Sequence, residues 1–154
     1  MLKELSIMTT IAWDGKILAS DTLSTSGNMK LPGVVTKIKR IGKYRIAFTG
    51  ESAPAFSFFE RYIQQSMMIG DLGYNTVTKS EDDFGLIVIE DDSEYCKVFN
   101  SITGHWDEFS PPISLGSGSK YAIGSMYSGY DAIKAVEIAC QLDTHSGLPV
   151  DSLM

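Results

Sequence analysis

Met8-Thr9-Thr10 lies one short hairpin away from Asp21, and that spacing is where chemistry can begin. Ile11-Ala12-Trp13 reads as a short strand, Asp14-Gly15 as a tight turn, and Ile17 to Asp21 as the returning strand. Asp-Gly between apolar runs signals a hairpin, because both turn positions ask for φ > 0. Counted back from a two-residue turn, Thr9 falls opposite Ser20, with Asp21 one step beyond. Strand spacing then brings a carboxylate within roughly 5–6 Å of the threonine pair. A strict two-residue hairpin sends the Thr9 and Asp21 side chains to opposite faces, so their meeting requires a bulge or a twist. With Met8 removed, Thr9 would carry a hydroxyl nucleophile and, in its own amine, a general base. By its neighbours alone, Thr9 reads first as an ordinary residue at the start of a strand.

Composition narrows what such a site could serve. The chain has 154 residues, enough for one domain with a real core. It is 44% hydrophobic and 21% charged, the balance of a globular protein. A net charge of −6 argues against non-specific nucleic-acid binding, which needs a basic surface. Cys96 and Cys140 have no CxxC or CxxH spacing, so two buried, reduced thiols are expected rather than a disulfide scaffold or a zinc site. Met1 to Ile7 contain Lys3 and Glu4 and no apolar run, and no segment approaches 18 apolar residues. A cytoplasmic location with no membrane contact is the expectation.

The elements that must position the site follow in order. Thr22 to Pro32 reads as a Ser/Thr/Gly/Asn loop, Val34 to Ile41 as a β-branched strand, and Tyr44 to Thr49 as its hairpin partner, ended by Gly50. From Ser52 to Met68 the period becomes helical. Phe56, Phe59, Ile63 and Met67 line one face, Ser52 can cap, and Gly70 and Gly73 stop the helix. After a polar linker come strands at Phe84 to Glu90, Tyr95 to Phe99, Trp106 to Phe109 and Ile113 to Leu115. Helices are expected over Lys120 to Ser128 and Tyr130 to Leu142, the second with Ile133, Val136 and Cys140 on its apolar face. Sequential hairpins imply antiparallel sheets, and helices after each strand set imply outer helix layers.

Several stretches together resemble the proteasome β-type Ntn hydrolases, nearest to the bacterial HslV peptidase family. They are Met8-Thr9-Thr10-Ile11, Ala19-Ser20-Asp21, Val35 to Ile41, Ile46-Ala47-Phe48-Thr49-Gly50 with Ala53 and Phe56, Leu115 to Ala122, and Ala132 to Gly147. They stand in the family's order and cover most of the chain. The resemblance implies an α+β fold, a four-layer α/β/β/α sandwich of two antiparallel sheets. It also implies a leader over 1–8 and one domain over 9–154.

By position, the resemblance makes Thr9 the nucleophile and its amine the general base, with Asp21 orienting that amine or the network around it. Lys37 would lie next to the Thr9 hydroxyl and stabilise its deprotonated form, as a cation within ~4–6 Å does. The Gly50 N–H would donate to the oxyanion of the tetrahedral intermediate. Ser117, in Gly-Ser-Gly before a helix, would hydrogen-bond the amine or a water, with Asp143 and Ser146 in support. No cofactor and no metal ligand set is implied. The substrate would be unfolded polypeptide, the assembly a homo-oligomeric ring, and an unfoldase ATPase a possible partner.

Each residue also has a plainer reading: Asp21 a turn residue, Lys37 a solvated strand cation, Gly50 a helix-entry glycine, Gly116 to Gly118 a turn. His105 and His145 have no partner at metal or triad spacing and read as surface or loop residues. Seven residues precede Met8, so a free Thr9 amine requires cleavage after Met8 or a start there. Only about fifteen residues separate the first helix from Phe84, where the family usually has a second helix. That shortening bears on ATPase docking and ring geometry, and it fits a divergent member, viral or otherwise. Three functions compete: a threonine peptidase, a catalytically silent structural subunit with an uncleaved leader, and a small-molecule amidase of the wider Ntn class.

Overall fold

The computed structural model describes residues 9–26, 29–50, 61, 84–100, 102–103 and 105–154. Strands β1 (Thr10–Trp13) and β2 (Leu18–Ser20) form the first hairpin, followed by a small ribbon of β3 (Thr25–Ser26) and β4 (Met29–Lys30). Next are β5 (Ile38–Ile41), β6 (Tyr44–Gly50), β7 (Phe84–Glu90), β8 (Cys96–Asn100), β9 (His105–Phe109) and β10 (Ile113–Gly116). Helices α1 (Ser119–Tyr127) and α2 (Ala132–Leu142) precede the final strand β11 (Asp151–Leu153).

Two antiparallel sheets result, one in the order β10-β1-β2-β11 and one in the order β5-β6-β7-β8-β9. Alternation along β1 decides the layers. Ile11 and Trp13 point between the sheets, where they meet Leu18, Ile38, Ala47, Ile87, Ile89 and Cys96. Each large apolar side chain buried there contributes about 1.5–3 kcal/mol. Ala12 and Ala19 point the other way, onto Ala122, Met126, Ala132, Ala135, Val136 and Ala139 of the two helices. The outer face of the five-stranded sheet carries a further buried cluster of Tyr44, Ile46, Phe48, Phe84, Leu86, Val88 and Phe99. The described layers are therefore helix pair, sheet and sheet, a mixed α+β sandwich.

Three expectations change. The small ribbon lies inside the stretch expected to be loop, and the strand expected from Val34 begins only at Ile38. On α2 the fully buried stripe is Ala132, Ala135, Val136 and Ala139, while Ile133 and Cys140 lie at its margin. Small residues on both surfaces let the helix approach the alanine face of the sheet closely. The expected helix over Ser52 to Met68 and its linker lie outside the described residues apart from Arg61, which is helical and exposed. Among the described residues no helix is long and apolar enough to cross a membrane.

Candidate active site

The first turn sets the register of the site. It is a four-residue loop: Asp14 N–H donates to Ile17 O at 3.2 Å, and the Asp14 carboxylate accepts from Lys16 N and Ile17 N, both at 2.8 Å. An aspartate that binds its own following backbone is an Asx-type turn. Gly15 has φ +104°, and Asp14 stays on the ordinary side of the map. The turn thus absorbs two more residues than an Asp-Gly turn. Ile11 rather than Thr9 pairs with Ser20, and Asp21 comes level with Thr10, to whose carbonyl its N–H donates at 3.0 Å. Thr9 lies before β1 and Asp21 after β2, so pleat alternation binds neither of them. That is how their side chains meet.

Asp21 is the hub. It is fully buried, and both of its oxygens are occupied. Oδ1 accepts from Thr9 Oγ1 at 2.6 Å, Lys37 Nζ at 2.8 Å and Thr10 N at 3.1 Å. Oδ2 accepts from Leu23 N and Gly147 N, both at 3.2 Å. A buried carboxylate persists only when donors replace its lost water, and here a cation is among them. The Thr9 bond is short, as an O–H donor to a carboxylate should be. Lys37 stands just ahead of β5, where its carbonyl accepts from Phe48 N at 3.1 Å. Its ammonium reaches the carboxylate oxygen that the Thr9 hydroxyl uses, so hydroxyl and cation are neighbours across one atom. Burial lowers the Lys37 pKa below its ordinary 10.5 and outweighs the pull of Asp21, which favours the charged form.

A second carboxylate lies beside the first. Asp143 Oδ2 accepts from Ser117 Oγ and Ser146 Oγ, each at 2.6 Å. Ser117 Oγ is also 3.3 Å from the Thr9 carbonyl, and Ser146 Oγ is 2.7 Å from Thr10 Oγ1. The glycines beside Ser117 make this proximity possible. Gly116 has φ +97°, and a Cβ there would overlap the Thr9 carbonyl. A Cβ at Gly118 would overlap Thr10 Oγ1, and its N–H donates to Thr9 O at 3.3 Å.

Thr9, Asp21, Lys37, Ser117, Asp143 and Ser146 therefore form one connected cluster. Gly50 stands outside it: its φ is +91° where β6 ends opposite Phe84, and among the described residues no hydrogen bond joins it to Thr9. His145 lies in the turn before Ser146, and His105 opens β9. Sequence reasoning missed Thr10 and the backbone donors of Leu23 and Gly147. Backbone donors leave no mark in residue types, and Thr10 was overshadowed by its neighbour.

Both cysteines are free; Cys96 is buried and Cys140 half-buried. Burial pushes the Cys96 thiol up to about 11. Burial and the nearby Asp21 push Cys140 up to about 12, against the opposing effect of Lys37. Burial thus disfavours the thiolate form of both cysteines.

The fold is shared with chains of known structure. Thiobacillus denitrificans BPH matches with a TM-score of 0.66 at 22% identity, over 94% of this chain and 95% of that one. The same protein in complex with epoxomicin matches with a TM-score of 0.67 at 22% identity, over 94% and 96%. No family model matches the sequence. The chain thus has the fold of the Thiobacillus denitrificans protein, with a hydroxyl–carboxylate–ammonium cluster at its first hairpin.

Proposed function

We propose that the chain is an N-terminal-threonine peptidase of the proteasome β type, kin to the HslV peptidases and built on the four-layer Ntn fold. In this reading it cleaves unfolded polypeptides inside a homo-oligomeric cytoplasmic ring, with an unfoldase ATPase as feeding partner. The observation that carries it is the convergence of the Thr9 hydroxyl and the Lys37 ammonium on Asp21 Oδ1. The fold shared with a protein that has been captured in complex with epoxomicin supports it.

Once the leader ending at Met8 is removed, the Thr9 amine takes the hydroxyl proton and Oγ1 attacks the scissile carbonyl. Lys37 favours the developing negative charge on Oγ1, and the Gly50 N–H donates to the oxyanion. The carbon–nitrogen bond breaks, and the amine product leaves with the proton. Water then attacks the Thr9 ester and releases the second product. Ser117, Asp143 and Ser146 hold the Thr9–Thr10 backbone and the proton-carrying groups in register.

The test combines intact mass with turnover of an unfolded polypeptide. A mature chain beginning at Thr9, and a loss of at least about 10³-fold in Thr9→Ala, are expected. A chain that retains Met1 and is inert would overturn the reading. A silent structural subunit is the second reading, favoured by the burial of Thr9 at 1% exposure. It requires assembly indifferent to Thr9→Ala and no epoxomicin adduct at Thr9; an adduct mapped to Thr9 removes it.

A further inference from the structure

Thr10 is fully buried, and different atoms of it bond to the Asp21 carboxylate directly and reach the Asp143 carboxylate through Ser146. Its N–H donates to Asp21 Oδ1 at 3.1 Å, and its carbonyl accepts from Asp21 N at 3.0 Å. Its hydroxyl lies 2.7 Å from Ser146 Oγ. A serine hydroxyl has one proton. Ser146 gives that proton to Asp143 at 2.6 Å, which leaves one direction for the remaining bond: Thr10 donates and Ser146 accepts. The hydroxyls thus form a directed chain, Thr10 to Ser146 to Asp143.

We propose that Thr10 is a positioning residue, whose side chain holds the start of the domain on the Asp143–Ser146 segment so that Thr9 Oγ1 stays on Asp21. The catalytic part of this inference rests on the function proposed above. With Met8 gone, Thr9 is a chain terminus, and termini wander unless tied down. Thr9 precedes the paired residues of β1, so its nearest anchor in the chain is Thr10. A turn about the Thr10 backbone would take its N–H off the oxygen that receives the Thr9 hydroxyl. Displacements of about 1 Å at reacting groups can lower rates by about 10²-fold. Gly118 fits the same scheme, since its missing side chain makes room for the Thr10 hydroxyl.

Two variants separate donor from shape. Thr10→Ser keeps the hydroxyl; Thr10→Val keeps the volume and removes it. In chains shown by intact mass to begin at Thr9, Thr10→Val should lower kcat by about 10–10²-fold at unchanged KM, while Thr10→Ser stays within about threefold of the parent. Crystal structures of both variants give a readout independent of turnover. The 2.6 Å Thr9–Asp21 bond should be lost in Thr10→Val and kept in Thr10→Ser. Retention of that bond in Thr10→Val, or a fall in Thr10→Ser as deep as in Thr10→Val, overturns the positioning role. An inert parent with the bond lost only in Thr10→Val would support the positioning and count against the peptidase.

Discussion

Lys37 carries two opposed influences, and their balance sets how the site responds to alkali. Its ammonium is buried beside Asp21, and burial prevails, so the folded-state pKa lies below the 10.5 of the unfolded chain. Between those two values the unfolded state binds the extra proton, and stability rises with pH. The Lys37 contribution is therefore full above 10.5 and is lost as pH falls through the lowered value. Chemical unfolding of the parent and of Lys37→Met should show the difference moving in the parent's favour as pH climbs from neutral toward 10.5. The same deprotonation removes the cation from beside Thr9, so turnover should fall over the window in which this contribution grows. A difference that stayed flat across that window would contradict the burial argument. At this scale the sequence was informative where chemistry sits on side chains. Asp21, Lys37, Ser117, Asp143 and Ser146 all meet around the two threonines.

Among the elements, the first turn has the widest reach. Asp14 accepts from Lys16 N and Ile17 N through one oxygen and from Ala132 N, at the start of α2, through the other at 2.8 Å. One carboxylate thus shapes the hairpin and caps a helix whose own N-cap, Asp131, accepts from Lys134 N at 2.8 Å. Helix N-termini favour such negative charge. Asp14→Ala should lower stability by about 1–2 kcal/mol, read from the denaturant midpoint, while Asp131→Ala touches the helix alone. The Asp-Gly signal located this turn correctly and misjudged its length. Turn length depends on whether the aspartate side chain folds back onto Ile17, which residue type alone does not state. The α2 face shows the same limit. Periodicity marked the bulky Ile133 and Cys140, whereas close packing against Ala12 and Ala19 selected the alanines.

At the scale of the whole molecule, a buried apolar cluster joins the two sheets. Trp13 is fully buried between them with Ile11 and Leu18. Trp13→Ala should lower the unfolding free energy by about 3–5 kcal/mol, measured by denaturant titration, because a large cavity opens between layers that cannot close up. Strand and helix positions along the chain were largely legible, since alternating and helical periods report directly on burial. The lacing of the first hairpin to the segment after α2 was not, because it runs through backbone groups. Asp21 Oδ2 takes the Gly147 N–H, Thr22 N–H donates to Gly147 O at 3.1 Å, and the Thr22 hydroxyl donates to Pro149 O at 2.6 Å. That lacing has a consequence in time. During synthesis Thr9, Asp21 and Lys37 emerge more than a hundred residues before Asp143, Ser146 and Gly147. A nascent chain that has exposed only the first three holds them without the partners that complete their hydrogen bonds, so the cluster can close only after the segment through Gly147 has left the ribosome.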